Sequence, residues 1–181
     1  MKLYNFFRSG TSHRLRIALN LKGLSVEAIP VNLRTEEHLT TSFKALNPQG
    51  LVPVLEHEGT VFTQSPAIIE WLEERYPEPA LLPANPEDRA RVRALASIVG
   101  SDIHPINNRR VLECLRRQFG ADEAAVNAWC STWISAGFGA IEALLAADAA
   151  RGEFCFGGAP TVADVYLVPQ VESARRFNID I

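Results

Sequence analysis

Apolar residues in the first third of the chain fall into short runs separated by turn residues, whereas beyond it they recur at helical spacing over long stretches. Lys2 to Phe6 reads as a strand. Gly10-Thr11-Ser12 then supplies turn and cap chemistry before Leu15, Ala18, Leu19 and Lys22 repeat at helical spacing, and Gly23 stops that helix. Glu27 to Val31 is a second apolar run, so the opening segment predicts a βαβ unit with parallel strands. Leu51 to Glu56 and Thr60 to Thr63, separated by Glu58-Gly59, have hairpin spacing, and Ser65 opens a helix through Tyr76. The predicted order is βαβ followed by ββα.

The stretch Pro77 to Pro86 carries four prolines, which neither continue a helix nor donate to a sheet, so it predicts a boundary between residues 1–78 and 86–181. Strand signals then vanish. Glu87 to Arg117, Asp122 to Ala147 and Thr161 to Arg176 read as helices, which makes the second domain all α. Phe177 to Ile181 leaves apolar residues in want of cover soon after a helix, so the C-terminus reads as incomplete.

Composition narrows the class. With 47% apolar and 22% charged residues the chain belongs with globular proteins, not disordered ones. A net charge of -3 gives no overall field for nucleic acid. Cys114, Cys130 and Cys155 are an odd number without CxxC spacing, which argues against a disulfide framework or a zinc site and for a reducing compartment. No leader-like segment and no uninterrupted apolar run of about eighteen residues is apparent, so the expected location is the cytoplasm, unanchored.

Candidate chemistry gathers at three places. Arg8-Ser9-Gly10-Thr11-Ser12 sits between the first strand and helix, where free amides and the helix dipole favour negative charge. A hydroxyl of Ser9 or Thr11 can donate to a thiolate there, or can simply cap the helix. Val52-Pro53 places a residue without an N–H beside a strand, and a cis bond would expose the Val52 main chain to an extended peptide ligand. Gln64-Ser65 precedes Pro66 at a helix start; Ser65 suits an N-cap and equally a carboxylate site, with Gln64 against an adjacent ammonium. In the helical half, His104 and Asn108 lie four apart and so on one helix face, beside Arg109 and Arg110, where they can line a cleft or be solvated. Thr161 and Asp164 read as a structural capping box.

These segments together resemble the zeta class of the glutathione transferase superfamily, the group that includes maleylacetoacetate and maleylpyruvate isomerases. The resemblance spans nearly the whole chain. Its most specific part is Arg8-Ser-Gly-Thr-Ser-His-Arg-Leu-Arg-Ile-Ala-Leu19, followed in order by Asn47 to Leu55, Gln64 to Pro77 and Ala159 to Gln170. It implies a thioredoxin-like N-terminal α/β domain that binds glutathione, an all-helical substrate domain and a homodimer. It also implies that Ser9, Gly10 and Thr11 surround the glutathione sulfur, that Val52 before a cis Pro53 pairs with the cysteinyl backbone, and that Gln64 and Ser65 take the γ-glutamyl end. His38, His104, Asn108, Arg109 and Arg110 match positions lining the glutathione or substrate site. The zeta turn commonly reads Ser-Ser-Cys; here Ser9-Gly10-Thr11 excludes a reactive cysteine at that position and leans toward the maleylpyruvate isomerase branch.

The implied reaction is cis–trans isomerisation of a maleyl acid by reversible thiolate addition, with Arg8, Arg110 and Arg176 holding the small dicarboxylate substrate. Glutathione would be the nucleophile, borrowed and returned. Two other readings stay open: a conjugating transferase or dehalogenase that consumes glutathione, and a non-catalytic glutathione-binding interaction protein.

Overall fold

The computed structural model describes residues 1–180, which form two compact units, residues 1–81 and 82–180. In the first, β1 (Lys2–Asn5), α1 (Gly10–Leu21) and β2 (Glu27–Pro30) make the predicted parallel βαβ unit, with Leu3 opposite Ala28. The hairpin follows as β3 (Val54–His57) and β4 (Thr60–Thr63), antiparallel, with Leu55 opposite Phe62. Strand order is β2-β1-β3-β4, so β1 and β3 are central, and β3 pairs antiparallel with β1. Leu3, Val54 and Leu55 of the sheet, Leu15, Ala18 and Leu19 of α1, and Ile68, Ile69 and Leu72 of the helix Ser65–Arg75 are all buried, and they are the core of this unit.

Two local features depart from the sequence pattern. A short helix, α2 (Thr41–Leu46), follows a 3-10 turn at Glu37–Leu39, inside a segment whose periodicity predicts no element. Six residues are too few for a periodic signal; the helix stands on the Thr40 cap, whose Oγ1 accepts from Phe43 N at 3.3 Å, and on Phe43, buried with Val31, Val52 and Val54. At α3 (Ser65–Arg75) the N-cap is Gln64, not Ser65. Gln64 has φ +67°, and Ser65 is the first helical residue, its side chain turned to the interior.

Lys22, at the end of α1, has a fully buried ammonium that pairs with Glu73 at 2.7 Å and donates to the carbonyls of Tyr76 (2.7 Å) and Pro79 (3.0 Å). Glu73 in turn accepts from Leu81 N at 2.9 Å. With every charge and carbonyl paired, the buried ions hold the proline-rich segment to α1 and α3.

The second unit contains α4 (Pro86–Ser97), α5 (Arg109–Phe119), α6 (Glu123–Ala147) and α7 (Val162–Arg176). The single helix expected over Glu87 to Arg117 is broken. After α4 the backbone passes into a π-helical turn, Ile98–Ile103, and leaves helical geometry before α5. Pro105 has no N–H to continue the ladder, and Asn108 restarts it by accepting from Arg110 N at 2.9 Å. Gly100 lets the Tyr166 ring lie on the π-turn: a Cβ there would come within 2.8 Å of the ring. Asp164 takes Thr161 N, Thr161 Oγ1 and Cys155 N at 2.8–2.9 Å, so the predicted capping box also anchors the loop before α7. In length and composition α6 is apolar enough to cross a membrane, although polar residues interrupt its apolar run. Ile181, part of the chain end read as incomplete, lies outside the described residues.

Candidate active site

The turn between β1 and α1 builds a chain of hydroxyls. Ser9 is the N-cap of α1, its Oγ accepting from Ser12 N at 3.2 Å. Thr11 Oγ1 lies 2.9 Å from Ser9 Oγ and 2.9 Å from the carbonyl oxygen of Val52. A carbonyl only accepts, so Thr11 spends its one proton on Val52. The Ser9–Thr11 contact then has a single direction: Ser9 donates to Thr11. Thr11 is tied to the main chain of the β3 approach, and of this pair Ser9 holds the hydroxyl proton that can swing to another acceptor at the helix N-terminus. The Val52-Pro53 bond is cis.

The start of α3 lies in the same unit. Gln64 adopts a left-handed φ uncommon outside glycine, a conformation that costs on the order of 1–3 kcal/mol and is held when surrounding structure demands it. Its side-chain amide donates to Gln49 Oε1. Ser65 is buried, and Arg14 Nη1, itself buried in α1, donates to Ser65 Oγ at 3.4 Å. His38 lies in the 3-10 turn, and its carbonyl approaches Gly50 so closely that a Cβ there would sit 3.0 Å from it; Gly50 also needs its φ of +62°. Ser9, Gly10, Thr11 and Val52 thus form one cluster, and Gln64 and Ser65 a second, all within the α/β unit.

In the helical unit the expectation that His104 and Asn108 share a helix face fails. His104 follows the π-turn, its N–H bonding to Val99 O at 2.9 Å, whereas Asn108 has extended backbone as the cap of α5. Arg109 is occupied by Glu113 at 2.6 Å. Arg110 is exposed, and its guanidinium has no hydrogen-bond or ion-pair partner among the described residues. Arg176 closes α7 with Nε donating to Glu172 O at 3.2 Å. Arg8 is exposed at the β1–α1 turn. The loop bearing His104 and Asn108 is fastened by Trp129 Nε1, which donates to Ile106 O at 3.0 Å, and by Asn107 Nδ2 to Ile103 O at 3.0 Å.

The sequence pattern passes over Arg14, Gln49 and Trp129. Arg14 is detectable in principle: positions 11, 14, 15 and 18 trace one helical stripe, which places a charge among apolar residues. Nothing in the sequence ties Gln49 to Gln64 or Trp129 to Ile106. Of the three free cysteines, Cys130 and Cys155 are buried. Burial pushes the Cys130 thiol up to about 11, and burial with the Asp164 hydrogen bond pushes Cys155 up to about 12. Among the described residues no cluster of three or more His, Cys, Asp or Glu side chains is arranged to hold a metal.

Residues 8–75 match the family model for the N-terminal domain of glutathione S-transferase. The chain is 71% identical over its whole length to a maleylpyruvate isomerase of a Ralstonia species, of which it spans 85%. A solved holo structure of a maleylpyruvate isomerase, described as a bacterial zeta-class glutathione S-transferase, superposes with a TM-score of 0.98 at 72% identity, covering 99% of this chain and 85% of that one. A maleylacetoacetate isomerase from Methylobacterium extorquens AM1, solved with bound malonate and GSH, is similar with a TM-score of 0.95 at 36% identity, over 99% of this chain and 85% of that one. The family match over residues 8–75, with relatives this similar along the whole chain, places the chain in the glutathione S-transferase family, within its zeta class.

Proposed function

We propose that the protein is a glutathione-dependent cis–trans isomerase that converts maleylpyruvate or maleylacetoacetate to the fumaryl isomer. The observation carrying this reading is the directed hydroxyl chain from Ser9 through Thr11 to the Val52 carbonyl at the N-terminus of α1. The residues present suit glutathione. Ser9 has a redirectable proton for a sulfur anion, the α1 terminus adds a favourable dipole, and the start of α3, with Ser65 and Gln64, suits the γ-glutamyl carboxylate and ammonium. We assign further ligand contacts to His38 in the α/β unit and to His104, Asn108 and Arg109 in the helical unit.

Bound glutathione supplies a thiolate that adds reversibly to the cis double bond, which turns it into a rotatable single bond until the thiolate departs again. The protein's own residues do the rest. Ser9 holds the sulfur in its anionic form by hydrogen bonding, and Thr11, anchored on Val52, keeps Ser9 in place. Arg8, Arg110 and Arg176 bind the two carboxylates of the substrate and the negative charge that develops during addition. Arg110 is the best prepared of these, since among the described residues its guanidinium has no partner to give up. We assign the α/β domain to glutathione and the helical domain to the acid, in a cytoplasmic homodimer that does not engage membrane or nucleic acid. A symmetric partner suits the exposed apolar side chains Trp133 and Leu144 of α6, and sedimentation giving twice the 20.0 kDa chain mass would support it. Maleylpyruvate turnover in the presence of glutathione tests the activity: isomer must accumulate while the thiol pool stays constant.

A further inference from the structure

A buried arginine stands behind the proposed carboxylate site, and its chemistry dictates how that site works. Arg14 lies on the inner stripe of α1 with Leu15 and Ala18, 2% exposed, and Nη1 reaches Ser65 Oγ at 3.4 Å; Ser65 is likewise 2% exposed. A guanidinium has donors only, so Ser65 must accept. With one lone pair so engaged, the Ser65 hydroxyl hydrogen points away from Arg14 and is free to be donated to an acceptor arriving at the first turn of α3. Neither element could arrange this alone. Pro66 provides no amide at the next position of α3, which makes the hydroxyl a larger share of what that terminus presents.

We infer that Arg14 is a positioning residue that fixes Ser65 as a hydrogen-bond donor and thereby sets the preference of the α3 terminus for a carboxylate. Arg14 does not touch the ligand; it acts through Ser65. This rests on the reading of Ser65 as the γ-glutamyl carboxylate site, and the experiment separates the two.

The test compares the affinity of the full chain for glutathione and for 4-aminobutyryl-cysteinyl-glycine, which is glutathione without the γ-glutamyl carboxylate. The ratio of the two dissociation constants measures carboxylate recognition and is insensitive to a general loss of stability. In the unmodified protein the carboxylate is expected to contribute roughly 10- to 150-fold, the range of a charge-assisted hydrogen bond. Arg14→Gln supplies a side chain that can also accept from Ser65, so it releases the hydroxyl orientation and should lower the ratio by roughly 2- to 13-fold, the worth of one hydrogen bond. Arg14→Lys, still a pure donor, should restore part of it. In a Ser65→Ala background the Arg14→Gln change should no longer alter the ratio. If Arg14→Gln does not fold, Arg14→Lys measured with and without Ser65→Ala carries the same comparison. An unchanged ratio in the folded Arg14 variants, with Ser65→Ala lowering it, overturns the inference and leaves the carboxylate site standing. A ratio unaffected by Ser65→Ala overturns the site itself, and the inference with it.

Discussion

At the scale of single residues, proton count ranks the two hydroxyls of the turn. Ser9 retains a proton able to leave Thr11 for sulfur, while the Thr11 proton is held by Val52. Ser9→Ala should therefore raise the pKa of bound glutathione by about 1–2 units, from a hydrogen bond to a charged group of about 1.5–3 kcal/mol, as read by a thiolate absorbance titration. Thr11→Ala should raise it less, and equal shifts would contradict the ranking. Among the arginines, Arg110→Ala should lower kcat/KM for maleylpyruvate by roughly 10- to 150-fold with glutathione affinity less affected. Ser9, Gly10 and Thr11 alone could be read as a helix cap or as a candidate sulfur site, and Ser9 is the cap of α1, but the division of labour between the hydroxyls was not legible. It depends on a contact forty-one positions away, which no local pattern encodes.

At the scale of elements, strand and helix order in the α/β unit followed directly from short apolar runs and turn residues. Failures came where tertiary contacts replaced local signals. Helix α2 needs its Thr40 cap and the burial of Phe43, and the break at Pro105 sits inside an apolar pattern whose period hardly changes. Asn108→Ala should cost about 1 kcal/mol in denaturant unfolding, as the loss of a helix cap. Asp164→Ala should cost more, about 2 kcal/mol or above, because three donors around it lose their acceptor. Lys22→Met should be among the most damaging single changes, about 3–5 kcal/mol, since it strands a buried Glu73 carboxylate. The double change with Glu73→Leu should recover part of that loss, and a purely additive double mutant would deny the coupling.

At the scale of the whole molecule, the cysteines define how the chain responds to pH. A thiol whose pKa rises from an ordinary value near 9 to about 11 (Cys130) or about 12 (Cys155) on folding binds its proton more tightly in the native state. The unfolded chain then loses protons first, so stability is fully present below pH 9 and declines as pH rises through 9 to 12. Denaturation midpoints should fall over that window, and less steeply in a Cys130→Ala, Cys155→Ala double variant. Both thiols should resist alkylation at pH 8 until denaturant is added. Isomerisation, unlike conjugation, requires that glutathione be borrowed and not spent. The direct measurement is a single progress curve of maleylpyruvate with the protein, following the fumaryl product and total free thiol together. Product should form with no net loss of thiol, and with no product when glutathione is omitted. Thiol consumed one for one with substrate, or no product at all, would contradict the isomerase.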